Sequence, residues 1–120
     1  MDEARKIVDK LIVEGKVPKA NIWQRVESVR YSPTPPPDDP TLEGYNDIRD
    51  VRNEAGHVEL IGRITIYHKG AESLEDAIGT YAHELAHFNR GWGPEKVDAY
   101  ARGVLNVYRG GTYNGPRPAY

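Results

Sequence analysis

Ala4, Ile7, Val8, Leu11 and Ile12 recur at helical spacing through residues 2–14, and Gly15 follows as a stop, which predicts a short amphipathic helix. Residues 22–31, IWQRVESVRY, fit helix or strand, and Val26, Val29 and Tyr31 tip the reading towards a strand. The next stretch, SPTPPPDDP at 32–40, contains three successive prolines and predicts a surface loop of polyproline II character, a spacer rather than a docking motif. Pattern resumes at Asp47. Ile48 and Val51 lead into the turn Asn53-Glu54-Ala55-Gly56, and Val58, Leu60, Ile64 and Ile66 then alternate along a second strand at about 58–67. Gly62 inside that strand marks a bulge or a close backbone approach. Ser73 with an acid three residues on reads as a helix N-cap. The helix it opens should run to about Arg90, where Gly91-Trp92-Gly93 breaks it. Pro94 suits the first turn of a last helix over 94–108, and residues 110–120, GGTYNGPRPAY, read as an irregular tail.

These elements predict a single α+β domain over residues 1–120. An antiparallel-dominated sheet packs on the 73–90 helix, and the C-terminal helix backs it.

Composition narrows the chemistry. The chain of 120 residues is long enough for one modest core, and its net charge of −2 with no clustered Lys/Arg stripe argues against nucleic acid as a partner. With no cysteine, thiolate metal sites, disulfides and a cysteine nucleophile are all excluded, so any metal must be held by His and carboxylate. The N-terminus MDEARKIVDKLIVEGK mixes charges throughout, and no stretch has the length and apolarity to span a bilayer. A soluble cytoplasmic protein with no membrane partner is the expectation.

One motif stands out: His83-Glu84-Leu85-Ala86-His87, an H-E-x-x-H. Chance supplies about 0.01 such motifs in a chain of this composition, so the surroundings decide its meaning. On a helical wheel Leu74, Ile78, Tyr81, Leu85 and Phe88 share one face. His83 and His87 lie almost opposite, about 40° apart, beside Gly79 and Thr80. Core histidines would sit among the leucines; the plain alternative for this pair is a solvated helix face. One helical turn lets both imidazoles offer a nitrogen to a single zinc ion at roughly 2.0–2.1 Å. Glu84 projects from the neighbouring position, where it can take a proton from water polarised by the metal and pass it to a leaving amine as general base. Its alternative is an ordinary exposed helix glutamate.

A third ligand must come from elsewhere. The metzincin extension H-E-x-x-H-x-x-G-x-x-H fails, because its Gly position holds Arg90 and its last His position holds Gly93. An acid on the following helix remains, Asp98 or Glu95. Val97, Ala101, Val104, Leu105 and Tyr108 define the buried face of that helix, with Asp98 on its margin and Glu95 well away. A carboxylate at an apolar margin is costly unless paired or bound, whereas Glu95 is explained by the helix dipole. Asp98 is therefore favoured as the third metal ligand; its plain alternative is to accept the outer N–H of a ligand histidine. His57 and His68 are weaker candidates on the strand segment.

A strand at 58–67, HELAH on the next helix and EKVDAYA on the one after together resemble the compact gluzincin-type zinc metallopeptidases, including the minigluzincins and the metallopeptidase domains associated with bacterial regulatory systems. The resemblance covers about residues 47–108, with HELAH its specific part. It implies a small zincin-like fold, one zinc ion per chain at His83, His87 and a carboxylate, Glu84 as base, and a protein or peptide substrate. Family members usually supply a glutamate ligand with an aspartate four residues later, whereas Glu95 and Asp98 are three apart. Either Asp98 replaces that glutamate or Glu95 ligates from a shifted helix. The resemblance further implies that the strand before the helix, 60–67, pairs with an extended peptide, and that the tail 110–120 could occupy the cleft. Tyr100, Arg102 and Tyr108 are nominees for stabilising the oxyanion, with ordinary packing or surface roles as the stronger alternative for each. A zincin-fold binding or regulatory module that hydrolyses nothing is the alternative.

Overall fold

The computed structural model describes residues 3–118. Helix α1 spans Glu3–Val13, strand β1 Gln24–Ser32, β2 Gly44–Arg52, β3 Val58–Tyr67, helix α2 Leu74–Ala86 and helix α3 Pro94–Tyr108; a single 3-10 turn, His68–Gly70, links β3 to α2. The α+β class and the order of elements follow the hydrophobic pattern closely. No helix among the described residues is long and apolar enough to cross a membrane.

The sheet has three strands in the order β1-β3-β2. β2 and β3 form the expected hairpin in antiparallel register, Gly44 opposite Ile66 and Arg52 opposite Val58. β1 lies parallel on the other side of β3. The sheet is thus mixed, one parallel and one antiparallel pair, rather than dominated by antiparallel pairing. With this strand order the proline-rich segment must carry the chain from one edge of the sheet to the other, past the end of β3, a span of two strand spacings or about 10 Å. β3 is consequently the central strand with both edges occupied. The expectation that residues 60–67 offer a free edge to a peptide is therefore wrong.

The free edges belong to β1 and β2, and β2 is the one that lies over α2. Tyr67 N–H donates to Glu43 O and Asn53 N–H donates to His57 O, so odd-numbered β2 residues make the paired bonds to β3. By the alternation of an antiparallel ladder, the N–H and C=O groups of Gly44, Asn46, Ile48 and Asp50 face away from β3.

One face of the sheet packs on the helices. Ile64 and Ile66 meet Ile78, Tyr81, Leu85 and Phe88 of α2 and its exit, and Val97, Tyr100 and Val104 of α3, all essentially inaccessible to solvent. Tyr81 donates to Asp9 Oδ1 at 2.8 Å and so ties α2 to α1. Gly62 is a close approach rather than the bulge itself: a Cβ there would stand 2.3 Å from Asn46 Oδ1 and 2.6 Å from Phe88 Cζ. The register break falls opposite, on β1 between Val26 and Ser28.

α2 begins as expected, with the Ser73 side chain accepting from Asp76 N–H. It ends at Ala86, four residues before the expected Arg90. Phe88 and Asn89 N–H turn back to Leu85 O and Ala86 O in tighter i−3 bonds. Two carbonyls at this exit are taken by asparagines from other elements, Glu84 O by Asn46 Nδ2 at 2.9 Å and Phe88 O by Asn21 Nδ2 at 3.2 Å. Side-chain donors thus replace the missing helical turn.

Candidate metal centre

The last two turns of α2 carry the H-E-x-x-H. His83 and His87 stand one turn apart with ring centroids 5.0 Å from each other and planes at 76°. Ligand-capable atoms of His83, Glu84 and His87 all lie within 4.8 Å of one another. His83 is half-buried and His87 exposed, while Glu84 retains only 4 % of its accessible surface. Glu84 is therefore not an ordinary surface glutamate. β2 covers it: a Cβ at Gly44 would meet Glu84 Oε2 at 3.0 Å and Thr80 Cγ2 at 2.8 Å, so the strand backbone reaches this distance only without a side chain. No hydrogen bond reaches the Glu84 carboxyl among the described residues, and burial pushes its pKa up to about 7. His87 is held below the usual histidine range, chiefly by partial burial and next by His83 beside it, with Asp98 acting in the opposite sense.

His83 and Glu84 open onto a cleft of about 440 Å³ between α2, α3 and the segment leading into β2, and His87 stands outside its lining. Gly79, Thr80, His83 and Glu84 form its floor; Asp98, Ala101, Arg102 and Leu105 of α3 form one wall, and Asp39 to Gly44 supply the opposite rim. Gly79 serves close helix packing as well, since a Cβ there would touch Leu105 Cδ1 at 3.2 Å.

Of the two acids proposed on α3, the structure brings Asp98 to the site and leaves Glu95 exposed and outside the cleft. Asp98 stands beside the His-Glu-His group rather than within it, with Oδ1 3.3 Å from Nδ1 of His83. At that distance the carboxylate is in reach of the outer nitrogen of the imidazole, without a hydrogen bond between them. His57 stacks on Trp23 at the far end of the sheet with centroids 4.5 Å apart, and His68 sits in the 3-10 turn; neither joins the group. Among the three oxyanion candidates only Arg102 lines the cleft. Tyr100 is buried with its hydroxyl donating to Pro18 O at 2.7 Å, and Tyr108 is exposed elsewhere.

Tail residues 110–118 pack on the far side of α3. Tyr113 contacts Tyr100 edge-on at 6.0 Å and lies over Gly103, where a Cβ would come within 2.6 Å of its ring. None of these residues lines the cleft, and Ala119 and Tyr120 lie outside the described residues.

Neither the rim nor the strand cover has a signal in the sequence. Asp39 belongs to the 32–40 segment that reads as a spacer, and Thr41, Glu43, Gly44 and Asn46 lie in the stretch before pattern resumes at Asp47. Their roles follow from β2 lying over α2, a contact nearly 40 residues apart in the chain.

Two imidazoles one turn apart with the Asp98 carboxylate beside one of them are donor types that zinc takes, and Glu84 is in reach as a base. Compared with protein-family models, with curated proteins and with solved structures, the chain matches none.

Proposed function

We propose that this chain is a small zinc-dependent peptidase of the gluzincin type. The observation that carries the reading is the Glu84 side chain: 4 % exposed, without a hydrogen bond among the described residues, lining an open cleft within 4.8 Å of ligand atoms of His83 and His87, and pushed up to about 7 by burial. Burial of an unpaired carboxyl is costly for a structural residue, whereas a general base working near neutrality requires a pKa raised into that range.

His83 and His87 would hold the ion. A catalytic zinc takes three protein ligands, and Asp98, 3.3 Å from Nδ1 of His83, is the carboxylate that would supply the third. A zinc ion held there would polarise the scissile carbonyl and lower the pKa of the attacking water. Glu84 accepts the proton of that water and delivers it to the leaving nitrogen. Arg102, which lines the α3 wall of the cleft, would meet negative charge developing on the substrate oxygen. An extended peptide would lie against the outward N–H and C=O groups of Gly44 and Asn46 on the free edge of β2.

Metal analysis of chain purified without chelators, followed by cleavage of a mixed peptide library, tests this. About one zinc per chain and cleavage abolished by Glu84→Gln is the expected result. No zinc after reconstitution would remove the metal centre. Zinc with peptide binding, no cleavage and no effect of Glu84→Gln would make the chain a binding module.

A further inference from the structure

Asn46 is on β2, yet its side chain ends at the backbone of the H-E-x-x-H. Its Nδ2 donates at 2.9 Å to the carbonyl of Glu84. In a continuing helix that carbonyl would accept from Phe88 N–H, but Phe88 bonds to Leu85 O, and the Glu84 carbonyl is left to Asn46. The bond therefore sets where α2 stops, one residue before His87.

This arrangement is destabilising in one respect. Asn46 Oδ1 is buried without a hydrogen-bond partner, the one such side-chain atom among the described residues. It stands against the space kept open by Gly62, where any Cβ would approach it to 2.3 Å, and that glycine also admits the Phe88 ring. A leucine at position 46 would fill the same volume, remove the orphaned acceptor and pack on Phe88. An unsatisfied acceptor retained in such a place is a stability loss that packing does not explain. The same residue presents its backbone N–H and C=O on the open edge of β2. One side chain thus joins the edge strand to the turn that carries His87.

We infer that Asn46 is a positioning residue: its amide, admitted by Gly62, ends the α2 helix at the Glu84 carbonyl and so fixes the turn on which His87 meets His83. The metal-binding consequence rests on the zinc reading; the helix-ending role does not.

The test compares wild type with Asn46→Leu and Asn46→Asp by three measurements on the full chain. These are thermal midpoint, cobalt(II) affinity with its visible spectrum, and amide exchange at His87, Phe88 and Asn89. Asn46→Leu is expected to keep or raise the midpoint while exchange at those three amides quickens at least tenfold and cobalt affinity falls about tenfold with an altered spectrum. Asn46→Asp, which keeps the shape but cannot donate, should share the exchange and cobalt defects. A structural asparagine would give the opposite split, with Asn46→Leu binding cobalt and protecting those amides as well as wild type; that result overturns the inference. If wild type takes up no cobalt, the zinc reading fails and the exchange measurement alone decides: quickening confined to the α2 exit supports the role, and unchanged exchange overturns it.

Discussion

A carboxyl placed where Glu84 sits folds more readily protonated than ionised. Its folded pKa, near 7, lies above the ordinary 4.5, so between those values the folded chain holds a proton that the unfolded chain has released. The folded state then binds more protons, and stability falls as pH rises through this window. The shift amounts to about 3 kcal/mol once both states are ionised. In chelator, the wild type should therefore lose about that much stability as pH rises from the ordinary glutamate value to beyond the folded one, and Glu84→Gln should abolish most of the slope. Urea denaturation at a series of pH values measures it; an equal slope in both proteins would mean that Glu84 is not desolvated as described. Asp98 makes a separate prediction. Asp98→Ala and Asp98→Asn should both weaken cobalt binding about 10- to 100-fold, because an amide does not replace a ligating carboxylate. A loss of less than about tenfold in Asp98→Asn alone would make Asp98 an acceptor for Nδ1 of His83 rather than a ligand. At this scale the histidine pair was legible, because a spacing of four on a helix puts His83 and His87 together whatever surrounds them. The burial of Glu84 was not, since it depends on Gly44 being bare.

Elements were legible to the extent that their causes are local. The hairpin turn, the Ser73 cap and Pro94 at the start of α3 all act within a few residues, and the corresponding boundaries match. Two features with distant causes were missed. β1 joins β3 in parallel across a long crossover, and nothing in residues 22–31 states that choice. α2 stops early because Asn46 and Asn21, far along the chain, supply the donors that the next turn would have provided. Gly62 links the central strand to this helix exit, and its replacement tests their fit. Gly62→Ala drives a methyl into Asn46 Oδ1 and Phe88 Cζ, so it should destabilise the chain by about 1–3 kcal/mol, as overpacking does. Measured by urea titration, a neutral Gly62→Ala would show that the strand–helix contact is looser than the geometry requires.

At the scale of the whole molecule, the cleft opens on one side of α3 and the tail is fastened on the other. Residues 110–118 lack regular structure, yet Tyr113 closes over Gly103 and Tyr100, its hydroxyl donates to Pro116 O, and Arg117 lies over its ring at 5.4 Å. Glycine-rich composition suggested freedom; the aromatic within it supplies the anchor. Arg109 adds a second tie, reaching both oxygens of Glu75 at the start of α2, although an exposed pair of this kind contributes little. The described tail thus supports α3 from behind, and α3 carries Asp98 and Arg102 into the cleft. Tyr113→Ala should cost about 1–2 kcal/mol for the apolar area lost from a half-buried ring, with metal affinity and any peptide cleavage essentially unchanged. Paired denaturation and activity measurements separate two roles for the tail. A variant that is less stable but equally active places the tail in support of α3. A variant whose cleavage rises severalfold would mean that the tail restrains the cleft, and that the packing of Tyr113 on α3 is what holds the restraint in place.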